Sequence, residues 1–208
     1  MSRRLNLTIT CETGREFVPF LWTNVRRAYA AWASKIRQSQ NMGPTPMLRE
    51  LSVALIGDRR MSALHQEFMG IAGTTDVLSF PLEADARGRV ISGEVVVCVP
   101  QARRQAKIRK TAAKHELLLY AVHGMLHLPG HDDRTDRAYH AMHAAEDELM
   151  MKLGVGTVFA RPPVLRGGPE RARGERPART RVTRNRAATL RRGAGAGASA
   201  GAGAGGAR

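Results

Sequence analysis

The residues best able to do chemistry in this chain lie between Tyr120 and Asp133, in YAVHGMLHLPGHDD. His123 and His127 are four apart, so on an α-helix their rings lie one above the other on a single face, close enough to share one ion. Gly130 follows three residues later and lets the chain turn sharply back, so that Asp133, three further on, can return as a third donor. His131 is the alternative third donor. The order His, x3, His, x2, Gly, x2, Asp has the spacing of metzincin proteases with the last histidine replaced by aspartate. Imidazole and carboxylate both suit Zn2+, and three protein ligands leave the fourth tetrahedral position to water. Because a bound metal lowers the pKa of water from about 15.7 towards about 7, the chemistry expected of this stretch is hydrolysis assisted by one zinc ion.

One absence narrows the reaction. Zincin peptidases carry a glutamate general base directly after the first histidine, and here that position is Gly124. Peptide hydrolysis by the usual route is disfavoured. Glu116, two helical turns before His123, and Asp132 are the nearest acidic substitutes, and either could hydrogen-bond a ring N–H. For Glu116 a place on the helix surface is the plainer expectation. His65, His115, His140 and His143 fall in helical stretches; His140 and His143 are three apart with Glu146 next on that face, but exposed helix histidines account for them more simply than a second metal site. Asp76 and Ser79 in TDVLSFP read as structural, capping and crossing between layers.

The elements that must hold these residues follow from periodicity. RLNLTIT alternates apolar and polar residues as a half-buried strand does, and Phe17 to Arg37 places Phe17, Phe20, Leu21, Ala28, Tyr29, Trp32 and Ile36 at helical spacing, with Arg26, Arg27 and Lys35 on the outer face. NMGPTP, Asn41 to Pro46, breaks the chain before a second strand, LRELSVALI. GDRRMSALHQEFM is a helix with Met61, Leu64 and Phe68 on one face and Asp58 as its N-cap. TDVLSFP and ISGEVVVCVP are strands, the second valine-rich enough to be central, and LEADARGR between them is a loop. Gln101 to Met125 makes one or two helices. TDRAYHAMHAAEDELMMKL is a last helix with Ala138, Met142, Ala145, Leu149 and Leu153 facing inward. About four strands in a small mixed sheet packed with helices, without a strict βαβ rhythm, predict a single α+β domain with the candidate metal site at the end of a helix.

With these motifs in view, the chain resembles the YbeY endoribonucleases of ribosomal RNA maturation. HGMLHLPGHDD is similar to that family's His-Gly-x-Leu-His-Leu-x-Gly-Tyr/His-Asp-His signature, TTDVLSFP to its Thr-Asp-Val-Leu-Ser-Phe block, and SGEVVV to its Gly-Asp-Ile-x-Ile strand, all in family order over roughly residues 48 to 153. The resemblance implies one zinc ion held by His123, His127 and Asp133, and single-strand-specific cleavage of precursor rRNA tied to the small ribosomal subunit and its quality control. This chain departs from the family pattern at Asp133, where histidine is usual; an anionic ligand lowers the net charge and Lewis acidity of the ion. It departs again at Met69, where the family commonly has an arginine. Cleaving a phosphodiester needs a cation for the charge that builds on phosphoryl oxygen, so Arg59, Arg60 or Lys114 is expected to stand in.

Charge divides the chain in two. Residues 1–160 hold 21 Lys and Arg against 16 Asp and Glu, whereas residues 161–208 hold 12 Arg against 2 Glu, so the net +15 splits into +5 and +10. The second segment has too few large apolar residues to offset the entropy of ordering and reads as a disordered basic tail suited to a polyanion such as RNA. The first reads as the endoribonuclease-like domain. No signal-peptide core or membrane span is visible, which predicts a cytoplasmic protein, and Cys11 and Cys98 read as isolated thiols in a reducing compartment. Competing with the RNA-cleaving expectation are a metallopeptidase or general metallohydrolase, which Gly124 disfavours, and a non-enzymatic ribosome-associated factor with a structural metal.

Overall fold

The computed structural model describes residues 5–38, 48–130 and 135–156. The Asn41–Pro46 break and the basic segment 161–208 lie outside these residues. Among them the elements run β1 (Asn6–Cys11), α1 (Val18–Gln38), β2 (Glu50–Ile56), α2 (Asp58–Met69), β3 (Val77–Ala84), β4 (Val90–Cys98), α3 (Val99–Arg109), α4 (Ala113–His127) and α5 (Asp136–Lys152), with a 3-10 turn, Arg15–Phe17, leading into α1.

The four strands form one mixed sheet in the order β1-β2-β4-β3. β1, β2 and β4 are parallel, and β3 returns antiparallel to β4. The valine run of β4 is therefore central, as its composition predicts: it is paired on both edges and covered on both faces. Alternation along the strands sends Leu51, Val53, Leu55, Val77, Val95 and Val97 to a large core shared with α1, α4 and α5. Ile56, Leu78, Val96 and Cys98 point the other way, to a smaller cluster with Met61 and Leu64 of α2.

α4 is apolar around most of its circumference, with Leu117 to Val122, Met125 and Leu126 all buried. A helix of that composition belongs inside the molecule, and α4 is enclosed by the sheet, α1, α3 and α5. It approaches the sheet closely because two glycines remove side chains from the contact. A Cβ on Gly93 would lie 2.6 Å from Leu128 Cδ1, and one on Gly124 would lie 2.6 Å from Val95 Cγ1.

Three local expectations are corrected. The stretch read as a loop, Leu82 to Arg89, is a loop only in part: β3 runs on through Ala84, and β3 and β4 pair as a hairpin with register shifts at its outer end. Only residues 85–89 form the tip, where Asp85 accepts the backbone N–H groups of Arg87 and Arg89 and pairs with the Arg89 side chain. Asp58 does not cap α2; Gly57 holds the cap position, and the Asp58 carboxylate binds Arg104 of α3 through two guanidinium bonds of 2.8 and 2.7 Å. A bidentate charged partner outcompetes a local backbone N–H. Glu116 is buried, not on the surface, because Lys110, in the left-handed region with φ 57°, ends α3 and folds the α3–α4 corner over the first turn of α4. There Glu116 accepts from Thr111 Oγ1 at 2.7 Å and Arg109 Nη1 at 3.1 Å, the pairing a buried carboxylate requires.

Candidate metal centre

His123 and His127 sit in the last turn and a half of α4. Their Nε2 atoms face one another at 2.9 Å, with the rings edge to face at 74°. His127 is 2% exposed and the His123 side chain 14%, so the pair lies at the rim of the core with one ring opening outward. Beyond His127 the chain forms a tight turn up to Gly130, which adopts φ 101°, a conformation glycine takes without penalty, and whose N–H donates to His127 O at 3.0 Å. Leu128, the first residue of that turn, is seated over Gly93.

Gly124 has a packing role. Its missing side chain points into the sheet, towards Val95, Ser79 and Val77, and Ser79 Oγ donates to Gly124 O at 3.2 Å. A zincin-type glutamate at this position would have no room and would be aimed away from the histidine pair. Ser79 crosses between layers as expected, and Asp76 accepts from Val77 N at 2.9 Å and Thr75 Oγ1 at 3.0 Å.

The carboxylate of the centre comes from α5. Glu146, fully buried, accepts from His123 Nδ1 with one oxygen and from His143 Nδ1, at 2.6 Å, with the other. Burial by itself would raise the Glu146 carboxyl, but the hydrogen bonds from the two imidazoles prevail and hold it below its ordinary value. An ionised Glu146 makes Nδ1 the protonated nitrogen of His123 and turns its Nε2 lone pair towards His127. His143 completes the wall: its ring stacks beside His123 with centroids 6.4 Å apart and meets Tyr139 edge-on at 4.1 Å.

His143 and Glu146 are thus not the exposed helix residues expected from the sequence. The available signal was Glu146 lying within the apolar stripe Met142, Glu146, Leu149 on the inner face of α5, where an acid needs a buried partner. His140, by contrast, is exposed, His65 is satisfied by Gly73 O at 3.0 Å, and His115 packs on Phe20.

The remaining donors, His131, Asp132 and Asp133, lie outside the described residues, and among the described residues no three His, Cys, Asp or Glu side chains form a ready-made ion cluster. The proposed stand-in cations are not brought to the pair. Arg59 is exposed in the first turn of α2, across the sheet, and Arg60 acts on Glu94. Lys114 lies over the Phe20 ring at 5.2 Å, nine residues or about 13 Å of helix from His123. Met69 is half-buried in the small apolar cluster.

The fold and centre define a class: an α+β domain whose buried central helix ends in a histidine pair backed by a carboxylate from the last helix. The family described as Endoribonuclease YbeY matches residues 20–154, and the chain belongs to it. That match begins in α1 and ends just past α5. Curated relatives named Endoribonuclease YbeY include one from Anaeromyxobacter sp., 39% identical over 123 residues, covering 59% of this chain and 62% of that protein. Another, from Geobacillus thermodenitrificans, is 30% identical over 129 residues, 58% of this chain and 83% of that protein. A third, from Acidothermus cellulolyticus, is 37% identical over 114 residues, 50% of this chain and 70% of that protein.

Proposed function

We propose that this protein is a zinc-dependent, single-strand-specific endoribonuclease acting on precursor rRNA of the small ribosomal subunit, in its maturation and quality control, in the cytoplasm. Family membership supports the RNA-cleaving part of this reading, because the relatives carry the name endoribonuclease. The observation that carries the site is the buried carboxylate behind His123: histidines that ligate metals characteristically donate the second ring N–H to such a group. His123 Nε2 and His127 Nε2 would hold the ion together with Asp133, or His131 in its place. Bound there, zinc supplies Lewis acidity and an open position for water.

The chain's own side chains do the positioning. Glu146 sets the tautomer and angle of His123, while His143 holds the second oxygen of Glu146 and keeps the carboxylate from rotating. Gly124 and Ser79 fix the height of α4 on the sheet, and with it the separation of the two rings. The same packing argues against a peptidase, since position 124 cannot deliver a general base. Among the described residues no helix is long and apolar enough to cross a membrane.

The test compares metal-replete, metal-stripped and His123→Ala protein on precursor rRNA and on an unstructured peptide. Cleavage of RNA by the replete protein alone is expected. RNA cleavage that persists after both stripping and substitution would overturn the reading, as would turnover of peptide without RNA. Unfolding on metal removal with no turnover in any form would replace it by a structural metal.

A further inference from the structure

We propose that the α3–α4 corner is a second, non-catalytic RNA surface that docks phosphates of a folded RNA away from the histidine pair; the inference rests on the RNA-cleaving reading above. Residues 99–114 contain six Lys and Arg and no Asp or Glu. The structure sorts these six into two groups. Arg103 pairs with Glu16 at 2.7 Å, Arg104 with Asp58 at 2.7 Å and Arg109 with Glu116 at 3.1 Å, each tying α3 to a neighbouring element. Lys107, Lys110 and Lys114 are exposed, and no carboxylate among the described residues pairs with any of them. They ring one corner: Lys107 in the last turn of α3, Lys110 at its left-handed end and Lys114 in the first turn of α4. Ile108, 73% exposed, stands among them as an apolar contact for sugar or base.

The helix beside the histidine pair offers no comparable excess of cations. α5, which supplies the pair's carboxylate, carries Asp136, Glu146, Asp147 and Glu148 against Arg137 and Lys152, a poor surface on which to hold a polyanion. Affinity for RNA needs cations elsewhere, because each ammonium that neutralises a phosphate releases condensed counterions. The corner supplies three. Nine residues of helix separate Lys114 from His123, about 13 Å along the axis and half a turn in azimuth, so the two face different directions. That distance is no more than about four nucleotides of strand, so it is the opposed facing that keeps a short strand in the histidine centre off the corner, whereas a folded RNA reaches both.

The experiment uses the full chain with Lys107, Lys110 and Lys114 all changed to Gln, and a control with Arg27, Arg49 and Arg87 changed to Gln, which removes the same charge from other exposed positions. Binding of a folded rRNA fragment is titrated against salt, and cleavage of that fragment is compared with cleavage of a short single-stranded oligonucleotide. The corner variant is expected to lower the slope of log K against log salt by about 2 to 3, and to bind the folded RNA roughly tenfold or more weakly at low salt. Its cleavage of the short oligonucleotide should match that of the unsubstituted protein, and the control should shift little on either substrate. Folded-RNA binding equal to that of the control variant would overturn the proposal, even with RNA cleavage intact. Corner-dependent RNA binding without cleavage by any form would leave the docking surface standing and remove the catalytic reading. Weakened binding to anionic phospholipid vesicles, with RNA binding unchanged, would also overturn it in favour of a membrane surface.

Discussion

Gly124→Ala perturbs the contact on which the histidine pair depends. The new methyl would lie 2.6 Å from Val95 Cγ1, 2.8 Å from Ser79 Oγ and 3.1 Å from Val77 Cγ2. Neither valine can swing away, since both are fully buried, stiff at χ1 and set in paired strands. Helix α4 must therefore move outward. Overpacking of this kind costs about 1–3 kcal/mol, and loss of the Ser79 bond to Gly124 O adds about 0.5–1.5 kcal/mol. The better helix propensity of alanine returns about 1 kcal/mol. A net loss of about 1–3 kcal/mol should lower the midpoint of thermal unfolding by roughly 3–10 °C for a domain of this size. Circular dichroism melts and urea titrations with an unchanged m-value measure it. An alanine variant as stable as the parent, or more so, would refute the close approach of α4 to the sheet and with it the packing reason given for the motif's glycine.

Glu146→Gln should weaken zinc binding by about 10- to 100-fold, measured by competition with a chromophoric chelator, because the amide cannot accept from both imidazoles; unchanged affinity would remove Glu146 from the centre. Tyr29→Phe deletes the donor of a buried 2.6 Å bond to Leu48 O, for an expected loss of about 1–2 kcal/mol in urea unfolding. No change in the midpoint would mean that carbonyl is satisfied otherwise. Burial, with the Asp58 carboxylate alongside, pushes the Cys98 thiol up to about 12. The unfolded chain therefore loses that proton first, from about pH 9 upward, and stability should fall as pH rises through that range. In native protein at pH 8, Cys98 should resist alkylation and react only after unfolding; mass spectrometry showing native labelling of Cys98 at the rate of an unstructured thiol would contradict its placement.

Features that depend on neighbours along the chain were legible before any coordinates. Period-2 alternation marked β1, the chain break before LRELSVALI set off β2, valine density marked β4 as central, and i, i+4 spacing put His123 and His127 on one face with Gly130 ready to reverse the chain. These are local consequences of backbone geometry, and tertiary packing merely used them. Features that depend on which faces meet were not legible. Glu146 lies 23 residues from His123, and nothing in either helix's own pattern says that the inner face of α5 closes on the open end of α4. Glu116 and Asp58 looked like surface or cap residues until α3 brought Arg109 and Arg104 to them. Gly124 looked like a missing catalytic acid until the sheet was seen to fill the space where any side chain would go. The donors belong to a motif written along one helix; their orientation comes from a carboxylate, two strands and a hydroxyl delivered by other parts of the chain, and only long-range packing decides which of those arrive.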